Sequence, residues 1–320
     1  MNLNNVDVAI LEEIEVFSVQ IAREAGLILL EHFTKHLEVS YKGENSTDPV
    51  TIADRNSEEY LKRAIKQKYP EHSILSEEEG IASQKSSPFT WVLDPLDGTT
   101  NFINGLPFFA VSVGVLWGNL PVAGSIYVPV SHKATEGVYH SSLGKGAYFN
   151  SEKITVGADS VKRPLSEMPL PPGSQFRLTG KSRNRPHEIR NLGSIALELA
   201  MTACGVFQFT LFNKPRLWDI LSGIVLVKEA GGVTLSYEKK SKSWKSFDEF
   251  GNAKTDTGTP LEIFQKWSSP FIAGTSDAVD ELVKDIRIRR KPLSWMNILR
   301  LGSKERVRDI ADKKIPEQKL

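Results

Sequence analysis

The stretch WVLDPLDGTTNF, residues 91–102, decides how the chain is read. Trp91, Val92 and Leu93 have the apolar run of a buried strand, which is expected to stop where the carboxylates Asp94 and Asp97 appear. Pro95 fixes φ after the first of them, so a tight turn directs both toward one point. Such a pair concentrates negative charge at high cost unless a cation sits between them. Gly98, Thr99 and Thr100 have the composition of a helix opening, whose N–H groups and positive dipole end suit a phosphate. Taken alone, DPLDG also reads as a surface turn with an Asp cap.

Neighbouring stretches bear on that choice. Ile74, Leu75 and Ser76 form a short predicted strand that runs into Glu77, Glu78 and Glu79. Three consecutive glutamates ordinarily make a solvated patch, yet pairing of this strand with the next would bring Glu77 beside Asp94. Upstream, DPVTIAD (48–54) places Asp54 at the start of a helix through Leu61, Ile65 and Tyr69, where an N-cap is the simplest reading. Downstream, LWDILSGIVLVKEAGG (217–232) is a helix apolar almost all round, hence central, closed by Gly231 and Gly232. Asp219 in its first turn either satisfies the helix dipole or points into a cleft as a metal ligand.

The remaining periodicities set the organisation. Residues 6–34 carry apolar positions at helical spacing, residues 38–42 read as a strand, and Gly43 to Asp48 as a loop. Strand-like segments at 108–117, 121–128, 136–140 and 146–149 predict an antiparallel meander. Residues 158–174, with Pro164, Pro169, Pro171 and Pro172, are the candidate linker between two lobes, about 1–163 and 174–286, of a single catalytic unit. Strands are expected at 176–180, 206–211, 233–237 and 271–273, helices at 195–204 and 277–286, and an irregular stretch around Lys239, Lys240, Lys242 and Lys245. Residues 287–320 hold eleven Lys and Arg against four Asp and Glu, a net +7 on a chain of net +1. This basic tail reads as a solvated extension or as an amphipathic segment docking on a partner or an anionic surface.

Composition narrows the function classes. With 40% hydrophobic and 25% charged residues the chain is an ordinary globular protein, and its near-neutral balance gives no reason to expect a nucleic-acid polymer as partner. The single cysteine, Cys204, excludes an intrachain disulfide and a cysteine-based zinc site, and its apolar setting makes it inert. No basic, apolar leader and no membrane-length apolar run is evident, so a cytoplasmic enzyme is expected.

With these pieces placed, the chain resembles the inositol monophosphatase superfamily of magnesium-dependent, lithium-sensitive phosphatases. The resemblance covers about residues 6–286 and rests on four motifs in the family's order: DPVTIAD, the Glu77-Glu78 pair, DPLDGTTNF (94–102), and WDILSG (218–223) followed by EAGG (229–232). It implies an α+β fold, a layered α-β-α-β-α sandwich, and a homodimer. Carried over, Glu77, Asp94 and the carbonyl of Leu96 would hold a first Mg2+, and Asp94, Asp97 and Asp219 a second. Asp54 would stand beside an additional, weaker site and within reach of the attacking water. Thr99 with Glu77 would orient that water, and the N–H groups of Gly98 and Thr99 would bind the phosphate.

The substrate side departs from the pattern. Inositol-specific relatives place an acidic side chain about seven residues before the Trp-Asp pair; here that place falls at Leu211, Phe212 or Asn213, followed by Lys214, Pro215 and Arg216. An apolar or amide group cannot replace a carboxylate's acceptors, whereas Lys214 and Arg216 are suited to a second anionic group. Gly193, Ser194 and Ile195 match the segment lining the sugar side, and Asp97 and Asp219 would also face substrate. The resemblance therefore implies a phosphomonoesterase acting on a small phosphorylated polyol or sugar. A fructose-1,6-bisphosphatase or 3′-nucleotide (bis)phosphatase is the alternative, and a non-catalytic member acting through protein contacts is the reading from another class.

Overall fold

The computed structural model of the protein describes residues 8–33, 39–42, 48–157, 164–167, 176–180, 188–250 and 260–288. Helix α1 (Val8–His32) is followed by the antiparallel pair β1 (Val39–Lys42) and β2 (Asp48–Thr51), then α2 (Ile52–Lys68), β3 (Ser73–Ser76), β4 (Gly80–Ser83) and β5 (Phe89–Asp97). One helical turn, α3 (Thr99–Ile103), leads to β6 (Ala110–Trp117), β7 (Leu120–Val128), β8 (Gly137–Ser142), β9 (Gly146–Phe149) and β10 (Glu152–Ile154). The second half runs β11 (Leu165–Glu167), β12 (Phe176–Leu178), β13 (Glu188–Ile189), α4 (Ile195–Ala203), β14 (Phe207–Phe212) and α5 (Leu217–Glu229). It ends with β15 (Val233–Glu238), β16 (Ser243–Ser246), α6 (Pro260–Lys266), β17 (Phe271–Gly274), α7 (Ser276–Asp285) and β18 (Ile286–Ile288).

An eight-stranded sheet, order β10-β9-β8-β7-β6-β5-β3-β4, and a six-stranded sheet, order β13-β11-β14-β17-β15-β16, carry the fold. Strand alternation sorts their side chains into three cores. Trp91 and Leu93 of β5 face α1 and α2, whereas Val92 between them joins the core around α4 and α5. In the second sheet Phe212 and Phe271 face that same middle core, and Leu211 and Ile272 turn outward against Val279 and Leu282 of α7. The resulting order of layers, α-β-α-β-α, is the one the resemblance implies.

The middle layer is unusually close to the first sheet, for a reason readable in small residues. A Cβ on Gly124 would lie 2.6 Å from Ser222 Cα and 2.7 Å from its carbonyl oxygen, and a Cβ on Gly114 would lie 2.7 Å from Leu221 Cγ. Ser112 of β6 meets Ser222 at 2.6 Å, either hydroxyl donating, and also bonds the Trp218 carbonyl oxygen at 3.1 Å. Because Ser112 is the register partner of Asp94, these contacts set the start of α5 against the carboxylate-bearing end of β5.

Four expectations are corrected. β5 does not stop at the first carboxylate: it continues to Asp97, because a bulge accommodates one extra residue between the pairs Asp94↔Ser112 and Asp97↔Ala110. Part of the proposed linker, Leu165–Glu167, is strand β11, parallel to β13 and β14, with Ser166 fully buried. Pro164 precedes its first residue, where no ladder N–H is required. The lysine-bearing stretch after Tyr237 is a β15–β16 hairpin whose turn includes Lys242 at φ 53. Arg287 and Ile288, assigned to the tail, belong to β18 and pair with β12, while 289–320 lie outside the described residues. The Gly43–Asp48 loop falls largely outside them too.

Gly124→Ala is expected to destabilise the protein by about 1–3 kcal/mol through overpacking against the α5 backbone, read as a lower urea midpoint at unchanged m-value. An unchanged midpoint would refute the close approach of α5.

Candidate active site

The carboxylates of the central motif meet at the ends of four elements. β3 runs parallel to β5 with Ser76 opposite Leu93, and the Glu77 N–H donates to the Leu93 carbonyl at 3.1 Å, which sets Glu77 next to Asp94. Asp97 closes β5, and its Oδ2 accepts from Ser194 Oγ at 2.7 Å and from the Ala196 N–H at 2.6 Å, at the start of α4. Asp219 occupies the first turn of α5, its Oδ2 accepting from the Arg216 N–H at 2.7 Å. Asp54 is not the N-cap that was expected: Thr51 caps α2, and Asp54 is the reciprocal member of a capping box, Oδ2 accepting from the Thr51 N–H at 2.8 Å and its hydroxyl at 2.5 Å. The other oxygen, Oδ1, lies 3.5 Å from Thr99 Oγ1, which also donates to the Leu96 carbonyl at 3.1 Å.

Gly98 provides the turn between β5 and α3. It sits at φ 93, and a Cβ there would lie 2.9 Å from the Phe108 carbonyl oxygen, so both conformation and space require glycine. The helix it opens has five residues, so what it offers an anion is first-turn N–H groups with no acceptor inside the helix. Asn101, which sequence reasoning did not single out, donates to the carbonyls of Phe108 (2.7 Å) and Leu192 (2.6 Å) and ties this turn to the segment before α4.

Electrostatically the cluster is under tension. Asp94 is 1% exposed, and burial, reinforced by Glu77, Asp97 and Asp219, holds its carboxyl well above the ordinary range. Asp219 is raised by burial and by Asp97, and Asp97 is pushed up to about 6 by burial against the lowering effect of Ser194 and Ala196. Asp97 and Asp219 each keep an edge toward solvent. Among the described residues no three His, Cys, Asp or Glu side chains are placed so that they could together hold a metal ion. The donors are nonetheless all oxygens, a few carboxylates beside the Leu96 carbonyl, and this composition fits Mg2+, which keeps several waters and needs few protein ligands.

A cleft of about 330 Å3 opens beside Asp97. Gly193, Ile195, Phe212, Asn213 and Lys214 line it, and Leu211 does not, being turned into the outer core. Ser194 is buried and directed to Asp97, while it also caps α4 through the Leu197 N–H. Arg216 lines a separate cavity of about 690 Å3 with Lys214, Tyr237 and Lys239. Asn213 Oδ1 is buried with no hydrogen-bond partner among the described residues. Glu198, missed from sequence although it is the sole carboxylate in the apolar run IALELAMTA, accepts from the N–H groups of Leu192 (2.5 Å) and Gly193 (3.0 Å). Burial pushes it up to about 8. Cys204 stays inert, its thiol raised to about 11 by burial.

Carboxyls whose pKa is higher folded than unfolded weaken the fold as pH rises above about 4, because the unfolded chain gives up its protons first. Metal-free Asp94→Asn should therefore melt above wild type at pH 8, by roughly 2–4 °C per kcal/mol relieved, with the gap closing as pH falls toward 4. Thermal unfolding in chelator across that range is the check; a variant that melts below wild type at pH 8 would refute the buried repulsion.

The model of the inositol monophosphatase family matches residues 10–265. A fructose-1,6-bisphosphatase/inositol-1-monophosphatase of Aquifex aeolicus is 35% identical over 219 residues, 66% of this chain and 81% of the relative. Inositol monophosphatase 1 of Solanum lycopersicum is 35% identical over 235 residues, 70% of this chain and 84% of the relative. Among solved structures, the extragenic suppressor protein suhB of Bartonella henselae superposes with a TM-score of 0.64 at 30% identity, covering 85% of this chain and 97% of that one. No helix among the described residues is long and apolar enough to cross a membrane. The chain belongs to the inositol monophosphatase family, and its layered fold is the one that family's solved structures share.

Proposed function

We propose that this family member is a magnesium-dependent phosphomonoesterase acting on a small phosphorylated polyol or sugar. The observation that carries the reading is the buried, mutually repelling group Asp94, Asp97 and Asp219 with Glu77 beside it, a charge arrangement that cations would relieve. In this reading Glu77, Asp94 and the Leu96 carbonyl hold one ion, Asp94, Asp97 and Asp219 a second, and Asp54 adjoins a weaker third. Magnesium there supplies Lewis acidity, offsetting charge on the phosphoryl group and lowering the pKa of water.

The chain's own groups do the rest. Thr99 and Glu77 orient the attacking water, and Asp54, 3.5 Å from the Thr99 hydroxyl, stands ready for the proton it releases. The N–H groups of Gly98 and Thr99 bind phosphoryl oxygens at the opening of α3. The alcohol portion lies in the cleft against Gly193, Ile195 and Lys214, with Asn213 on its wall. Lys214 favours a second reading, a bisphosphatase: it borders both this cleft and the basic cavity with Arg216 and Lys239, where a second phosphate would find cations.

The full-length protein should release phosphate from at least one of inositol 1-phosphate, β-glycerophosphate, glucose 1-phosphate, fructose 1,6-bisphosphate or adenosine 3′,5′-bisphosphate, and chelator should stop it. Asp94→Asn should lower kcat by roughly three orders of magnitude or more. Lys214→Met should raise KM for a bisphosphate about tenfold more than for a monophosphate if the second reading holds. Absence of both phosphate release and Mg2+ binding would make the non-catalytic reading the correct one.

A further inference from the structure

α2 presents one polar face to the site, and only part of it is used by the mechanism above. Asp54 reaches Thr99 and Thr51, and Ser57 Oγ donates to the Pro95 carbonyl at 2.9 Å, inside the β5 bulge. Glu58, next to Ser57 and one turn beyond Asp54, touches neither the bulge nor the cleft. It is 3% exposed, and its Oε1 accepts both the Ser76 hydroxyl and, at 3.2 Å, the Glu79 N–H. Those donors flank Glu77, whose own N–H is held by Leu93. Lys62, 9% exposed and one further turn along α2, lies 3.8 Å from Glu58 Oε2 and pairs with the Glu79 carboxylate.

A buried carboxylate with a buried lysine is a poor way to stabilise a helix–turn contact, since desolvation offsets most of the attraction and an apolar pair of similar shape would serve as well or better. What the ionic arrangement supplies is direction. Two donors converge on one carboxylate oxygen, and the turn between them can rotate only by breaking one or the other. We propose that Glu58 and Lys62 are positioning residues that lock the Ser76–Glu79 turn so that the Glu77 carboxylate is held toward Asp94. The inference rests on the reading of Glu77 as a metal ligand. It makes α2 a single jig that registers three parts of the site: Thr99 through Asp54, the Asp94–Asp97 bulge through Ser57, and Glu77 through Glu58.

The test is a double-mutant cycle on the full chain with Mn2+ as probe, binding read from the EPR signal of the free ion, so that no activity is needed. Folding of each variant is checked by thermal unfolding in chelator. Glu77→Gln should weaken binding at least about tenfold, and Glu58→Leu should do so about tenfold as well, as loss of a residue that orients a ligand commonly does. Glu58→Gln, which keeps an acceptor for Ser76 and Glu79, should recover most of the loss. In the Glu77→Gln background Glu58→Leu should add less than about twofold, because its effect passes through Glu77; a merely structural role would add in full. Should Glu58→Leu fail to fold, Lys62→Met carries the same cycle with an expected weakening of about threefold. Binding by folded Glu58→Leu within twofold of wild type, or full additivity in the cycle, overturns the inference alone. Wild-type binding by Glu77→Gln would instead remove the ligand assignment on which it stands.

Discussion

Like-charged carboxylates buried within reach of one another are the constraint around which this molecule is arranged. Asp94 is enclosed, and Glu77, Asp97 and Asp219 all act on it with the same sign. Such a cluster opposes folding at neutral pH, and it persists only because each member is held from behind. Ser194 and Ala196 hold Asp97, the Arg216 N–H holds Asp219, and the Leu96 N–H donates to Asp94 Oδ1 at 3.1 Å. Every one of these donors is backbone or a small hydroxyl, and the Arg216 charge eases Asp219 only in part against burial and Asp97. Carboxylates ordered in this way differ from a salt-bridged core, where opposite charges compensate one another.

The layered packing follows from the need to bring these groups together from distant parts of the chain. Asp94 and Asp97 lie on the first sheet, Asp219 on a helix that follows the second sheet's β14, and nothing local in the sequence joins them. The glycines at 114 and 124 and the paired serines at 112 and 222 let α5 sit directly on the first sheet. The bond from Ser112 to the Trp218 carbonyl then places the next residue, Asp219, over the strand that bears Asp94. A larger side chain at any of these contacts would push the helix outward and open the carboxylate group. Core packing and electrostatics are in this sense one problem here.

The cleft beside Asp97 is built from a different set of contacts. Asn101 and Glu198 fix Leu192 and Gly193 by their backbone, and Asn213 and Lys214 line the cleft beside them.

Much was legible in the residues themselves. The β5 motif, the helical stripe of α1, the meander and the apolar α5 are local patterns of period and turn chemistry, and local patterns survive into the fold because burial rewards them wherever they occur. Four motifs in order made the family resemblance, and with it the layers, readable before any coordinate. What the sequence could not supply was the back side of the site. Glu58 lies in SEEYLKR beside Glu59, which is exposed, and nothing in composition separates the buried glutamate from the solvated one. β11 looked like linker because three residues carry too little periodicity to stand out among prolines, and only pairing with β13 and β14 makes them a strand. Asp54 was read as a cap and is instead the partner of one, a distinction made by where β2 ends. The sequence by itself determined which residue types could do chemistry and where the strongly periodic strands and helices would lie. The tertiary structure alone decided which carboxylates lie within electrostatic reach of one another, since that depends on register, close approach and hydrogen bonds between residues far apart in the chain.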